Sequence, residues 1–162
     1  MNVYRVFKAL KSKETYWVRH RLLTKLQGKI RYSESDLNEI LTYLGREAEV
    51  NKESEELTHK AIVSPGLSEK FRILKKLKGF DFRASACLLS FHNPRQYAEV
   101  NSTSWNRMVK YHGFDALEKD KNSEYNLEEY KNYLEFLTLL AHDFGMSLAD
   151  TEYTFDKGDF DD

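Results

Sequence analysis

The stretch Leu77-Lys78-Gly79-Phe80-Asp81-Phe82-Arg83-Ala84-Ser85 joins two apolar helical patterns, and the fold is read from it. Before it, Phe71, Leu74 and Leu77 follow Ser68 at steps of three, one face of a helix. After it, Ala84, Cys87, Leu88 and Phe91 recur at steps of one to three on one helical stripe, until Asn93-Pro94 stops the pattern. The four residues 78–81 leave room only for a tight αα-hairpin. Gly79 supplies the positive φ that such a turn needs. The N–H groups that open the second helix lack helical partners, and with the helix dipole they favour an anion. Lys75, Lys76, Lys78 and Arg83 surround the turn. A nucleic-acid phosphate suits this pattern, so Lys75, Lys76, Lys78, Gly79, Phe80, Asp81 and Arg83 form the candidate nucleic-acid-binding set.

Outward from the hairpin the chain also reads as helical. Its 162 residues carry only seven Gly and two Pro, and strand-like alternation is scarce. Val18, Leu22 and Leu26 share a face that Gly28 ends. Ser33 or Ser35 caps a helix with the stripe Leu37, Ile40, Leu41, Leu44, Ala48. A weaker helix around Leu57 and Ala61 precedes the break Ser64-Pro65-Gly66. Trp105, Met108 and Val109 predict a short helix ending near Gly113. Asn126 with Glu129 is a capping-box start, followed by Leu127, Tyr130, Leu134, Leu137, Ala141 and Phe144. Gly145 is placed to end that helix in a left-handed conformation, and Ser147 opens a last one. The expectation is a single all-α domain over 1–162 with seven to nine short helices: the hairpin at about 68–92, the C-terminal helices at about 126–156, and a frayed tail at 157–162.

Apolar residues make up 41% and charged residues 31%, the balance of a soluble globular chain. No apolar run approaches the ~18 residues of a membrane span, so no membrane partner is expected. The basic start has no apolar core of a secretory signal. The lone Cys87 excludes an internal disulfide and fits a reducing interior. A cytoplasmic location is expected, on the nucleoid or in the nucleus if bound to DNA. Net charge is −1 but unevenly spread: the first 31 residues hold nine basic residues and one acid, Glu14. Such asymmetry fits a polyanionic partner or, more plainly, a solvated basic face.

The residues from Leu77 to Ser85 resemble the helix-hairpin-helix of base-excision DNA glycosylases of the endonuclease III type. That family's hairpin runs roughly Leu-Pro-Gly-Val-Gly-x-x-x-Ala, and Leu77, Gly79 and Ser85 match it in position and size. Pro94, the run Tyr97-Ala98-Glu99-Val100 and Asn101 follow where the family has a proline, an extended run and its catalytic aspartate. The resemblance spans roughly residues 35–155 and is specific at about 74–105. It implies an all-α fold of the helix-hairpin-helix glycosylase type and a DNA partner, duplex and distorted or modified. It also implies extrusion of a nucleotide and cleavage of its base.

The departures bear on chemistry. Asn101 stands at the family's aspartate, Arg83 at the Schiff-base lysine of the lyase subclass, Asp81 at the second hairpin glycine and Lys78 at its proline. An amide offers no negative charge, and arginine stays protonated and does not attack as an amine. Glycosylase activity is therefore expected to be weak or lost. Glu99, two residues before Asn101 on the same face of an extended run, is either a substitute carboxylate or a surface glutamate. One cysteine cannot supply the four thiolates of an iron–sulfur cluster, and no cofactor is expected. His20, His59, His92, His112 and His142 show no ligand spacing, and no metal is expected. Tyr16 and Trp17 either stack on bases or pack in the core, and Tyr97 and Trp105 are either pocket wall or core. The alternative function is an all-α protein–protein interaction module on the same scaffold.

Overall fold

The structure is a computed structural model and describes residues 2–47 and 49–160. The described residues are all-helical, with nine α-helices and no strand. In order these are α1 (Val3–Leu10), α2 (Glu14–Leu26), α3 (Glu34–Tyr43), α4 (Ser54–Val63), α5 (Leu67–Leu74), α6 (Phe82–His92), α7 (Ser102–His112), α8 (Leu127–Phe144) and α9 (Leu148–Lys157). None is long and apolar enough to cross a membrane.

Most helix starts are written locally. Asn2, Ser33, Asp81, Asn101, Asn126 and Ser147 each place a side-chain oxygen on the backbone N–H three residues on. Ser33, not Ser35, is the α3 cap, and its Asp36 completes a capping box. Asn126 and Glu129 form the box at α8, and Gly113 and Gly145 end α7 and α8 in the left-handed region.

Where the sequence reads as one domain over 1–162, packing gathers the chain into two compact units. Arg19–Asn93 forms one, and the residues up to Val18 join those from Pro94 onward to form the other. The division falls inside α2.

In the Arg19–Asn93 unit, α4 packs on α5, α3 on α6 and α5 on α6. Leu26, Leu37, Ile40, Leu41 and Leu74 are fully buried. α6 buries Phe82 and every residue from Ala84 to Phe91, so its apolar character runs all round. Cys87 is inside this helix, the setting of a structural thiol. Leu44 of the expected α3 stripe is the C-cap and only half-buried, and Ala48 lies outside the described residues. Of the α2 face expected from the sequence, Leu22 and Leu26 are buried and Val18 is exposed.

In the other unit α9 is central and packs against α1, α7 and α8. α1 has no counterpart among the helices expected from the sequence. Val3, Phe7 and Leu10 form its buried face, and Phe7 and Leu10 share a cluster with Tyr16 and Tyr153. α8 buries Tyr130, Tyr133, Leu137 and Ala141, while Leu134 is only half-buried. The tail departs from its expected fraying as far as Phe160. Gly158 O accepts from the Arg107 guanidinium at 3.1 Å, and that guanidinium lies 4.9 Å from the Phe160 ring centre. Asp161 and Asp162 lie outside the described residues.

Candidate nucleic-acid interface

The hairpin belongs to the Arg19–Asn93 unit. α5 ends at Leu74, and its last turn tightens: Lys76 N–H bonds Ile73 O and Leu77 N–H bonds Leu74 O, both at 3.0 Å. Phe80 N–H then bonds Leu77 O at 3.1 Å, closing a turn whose third residue, Gly79, has φ +85°. The connection is therefore residues 75–81, longer than the four expected. Leu77 stays buried after leaving the helix, which is why the apolar spacing included it.

The anion place at the start of α6 departs most from expectation. Asp81 Oδ1 accepts from Ala84 N–H at 3.0 Å, so the chain's own carboxylate caps the helix. Arg46 grips that carboxylate with both terminal nitrogens, at 2.7 and 3.0 Å. Burial pushes the Asp81 carboxyl up, but the Arg46 bonds, the Ala84 N–H and the charges of Arg46 and Arg83 bring it below the usual carboxylate range. Arg46 lies 35 residues away, and no sequence signal pairs it with the hairpin.

Lys75, Lys76 and Lys78 are exposed. Lys75 Nζ sits 5.5 Å from the centre of the Phe82 ring, which stacks on Phe71 at 4.4 Å. Phe80 is buried and anchors the turn, so it does not offer a nucleic-acid contact. Arg83 is half-buried. A Cβ on Gly79 would meet Glu49 Oε2 at 3.0 Å and Leu41 Cδ1 at 3.3 Å. Gly79→Ala is expected to lower stability by about 1 kcal/mol or more, from the positive φ and this crowding together. Urea denaturation measures it, and an unchanged midpoint would refute the role.

Asn101 belongs to the other unit and caps α7, the helix that carries Trp105. Its Oδ1 accepts from Ser104 N–H at 3.0 Å and lies 3.3 Å from Ser104 Oγ. Ser104 Oγ in turn meets the buried Tyr133 hydroxyl at 3.0 Å. The amide thus has a structural task, and it stays half-exposed. Beside it lies a depression of about 220 Å³ lined by Ser102, Thr103, Asn106, Arg107, Lys110 and Tyr111. That is below the roughly 300–1,000 Å³ of ordinary small-molecule sites. Asn101 is not among its lining residues.

Glu99 is half-buried near Tyr130, whose hydroxyl donates to Ala98 O at 2.7 Å. Burial pushes that hydroxyl well above its ordinary range, and the Glu99 charge adds to the push. Tyr97 is buried. Trp105 is buried too, stacked on Tyr133 at 5.5 Å, with Nε1 donating to Leu117 O at 2.8 Å. Tyr16 packs between Phe7 and Tyr153 at 5.9 and 6.3 Å. These three are core side chains, so Tyr16 is not placed to stack on bases, and Tyr97 and Trp105 take the core alternative of their two readings. Trp17 is 49% exposed. Among the described residues no group of three or more His, Cys, Asp and Glu is arranged to hold a metal ion.

No protein-family model, no curated protein and no solved structure gives a significant match to this chain.

Proposed function

We propose that this is a DNA-binding protein related to the helix-hairpin-helix base-excision glycosylases, one that engages distorted or modified duplexes and excises bases weakly or not at all. The observation that carries the reading is the hairpin itself. Two helices meet across a tight turn on a positive-φ glycine, and Lys75, Lys76 and Lys78 stand exposed along it. With Asp81 capping α6, phosphate contact falls to the lysines as point charges, and backbone N–H groups contribute less. Binding of this kind is strongly salt-dependent. The weak or lost chemistry rests on Asn101, a neutral helix cap where the resembled family has a carboxylate.

A gel-shift titration across salt concentrations tests the reading. Each phosphate neutralised contributes about 0.9 to the log–log slope on duplex DNA, so Lys78→Ala should lower the slope by about one and leave sequence preference unchanged. Salt-independent binding would contradict phosphate contact. No affinity for any duplex or single strand would leave the protein–protein interaction module as the better reading.

A further inference from the structure

The N-terminal helix pair carries a second cationic surface with an aromatic at its edge. On α1 and its C-cap, Tyr4, Lys8 and Lys11 fall at spacings of four and three, one stripe, with Arg5 beside them. All four are exposed. Lys8 Nζ lies 5.7 Å from the Tyr4 ring centre, and Lys11 Nζ lies 5.2 Å from that of Phe7. From α2, Trp17 donates its indole N–H to Lys11 O at 2.9 Å, which fixes the ring against the end of α1. Tyr16, the residue before it, is locked in the Phe7–Leu10–Tyr153 cluster, and the Tyr16 and Trp17 rings meet edge-on at 5.1 Å and 90°. A half-exposed tryptophan is thus held in one orientation by a hydrogen bond and a buried neighbour, next to a row of cations.

We infer that Tyr4, Arg5, Lys8, Lys11 and Trp17 form a platform for unpaired nucleotides of a single-stranded nucleic acid, with Trp17 stacking on a base and the α1 cations following the phosphates. A polyanion with flat π faces matches both halves of the surface, since base–aromatic stacking tolerates any base and the cations track the backbone. An anionic bilayer fits less well. A surface helix needs an apolar face to insert, and α1 spends Val3, Phe7 and Leu10 on the core. An acidic peptide would satisfy the cations but brings no row of flat π faces to the tryptophan. The inference deepens the nucleic-acid reading, yet rests on residues separate from the hairpin.

The two indoles make it measurable, because Trp105 is 2% exposed and Trp17 is 49% exposed. Intrinsic fluorescence is followed during titration with an oligodeoxythymidylate of about 20 nucleotides, a matched duplex, and phosphatidylcholine–phosphatidylserine vesicles. The single strand should quench the emission, and Trp17→Phe should abolish the quench while leaving thermal unfolding unchanged. Trp17→Ala should weaken binding roughly five- to a hundredfold, and Lys8→Glu should weaken it with a reduced salt slope of about 0.7 per lost phosphate contact. Lys75→Ala and Lys78→Ala should leave the Trp17 quench in place. Quenching that persists in Trp17→Phe, or that only vesicles produce, overturns the platform. If the Trp17 variants bind single strands normally while the lysine variants lose duplex binding, the platform fails and the hairpin reading stands. The opposite pattern removes the hairpin and keeps the platform.

Discussion

Asn101→Asp is expected to give measurable base excision where the native chain gives little or none. The substitution is conservative for the fold. Asn and Asp serve almost equally as helix caps, so the Ser104 N–H keeps its acceptor and the melting temperature should barely move. It is not conservative electrostatically. A carboxylate there would accept a backbone N–H at the positive end of α7, and both effects lower its pKa below the ordinary ~3.9. It would therefore be ionised at neutral pH, the state that stabilises positive charge developing on a sugar. One such electrostatic group is worth about 10²–10³ in rate elsewhere. Both forms would be incubated with duplexes carrying a panel of damaged bases, and abasic sites then cleaved with alkali. Strong excision by the native chain would assign the chemistry to another residue, Glu99 first. No excision by either form, with the depression beside Asn101 only about 220 Å³ and not lined by it, would leave only the fold.

Trp105→Ala should produce the largest loss of stability, about 3–5 kcal/mol. The indole is buried between Phe114 at 5.0 Å and Tyr133 at 5.5 Å, and Lys119 Nζ lies 5.3 Å from the ring centre. Truncation opens a cavity and removes the hydrogen bond to Leu117 O. Thermal unfolding followed by circular dichroism should fall by roughly ten degrees or more. Trp105→Phe should cost less, because it keeps an aromatic ring in the stack and loses the hydrogen bond and only part of the indole's volume. A small shift for the alanine variant would mean that Trp105 is not the core element described above.

The all-α class and most helix boundaries were legible because their causes are local. Ser33, Asn126 and Ser147 act within three residues of themselves, and Gly113 and Gly145 end the helices they follow. What escaped depends on distant partners. α1 is eight residues long among basic side chains, and its reason to be helical is α9 at the far end of the chain. Tyr133 in place of Leu134 on the buried face of α8 reflects Trp105 and Ser104 packed against it. The hairpin lysines and the amide at 101 could be picked out by residue type. The Arg46 grip on Asp81 and the Glu49 carboxylate over Gly79 could not, since both arrive from outside the motif.

The division of the chain also bears on how it leaves the ribosome. Arg19–Asn93 is continuous, so its contacts are all available once Asn93 has emerged. The other unit is split, and Phe7, Leu10 and Tyr16 close on Tyr153 only after roughly 140 further residues are made. At about 5–20 residues per second that is a wait on the order of ten to thirty seconds. During vectorial synthesis the first helix is thus a nascent segment whose apolar side chains Val3, Phe7 and Leu10 stay unsheltered until α9 appears.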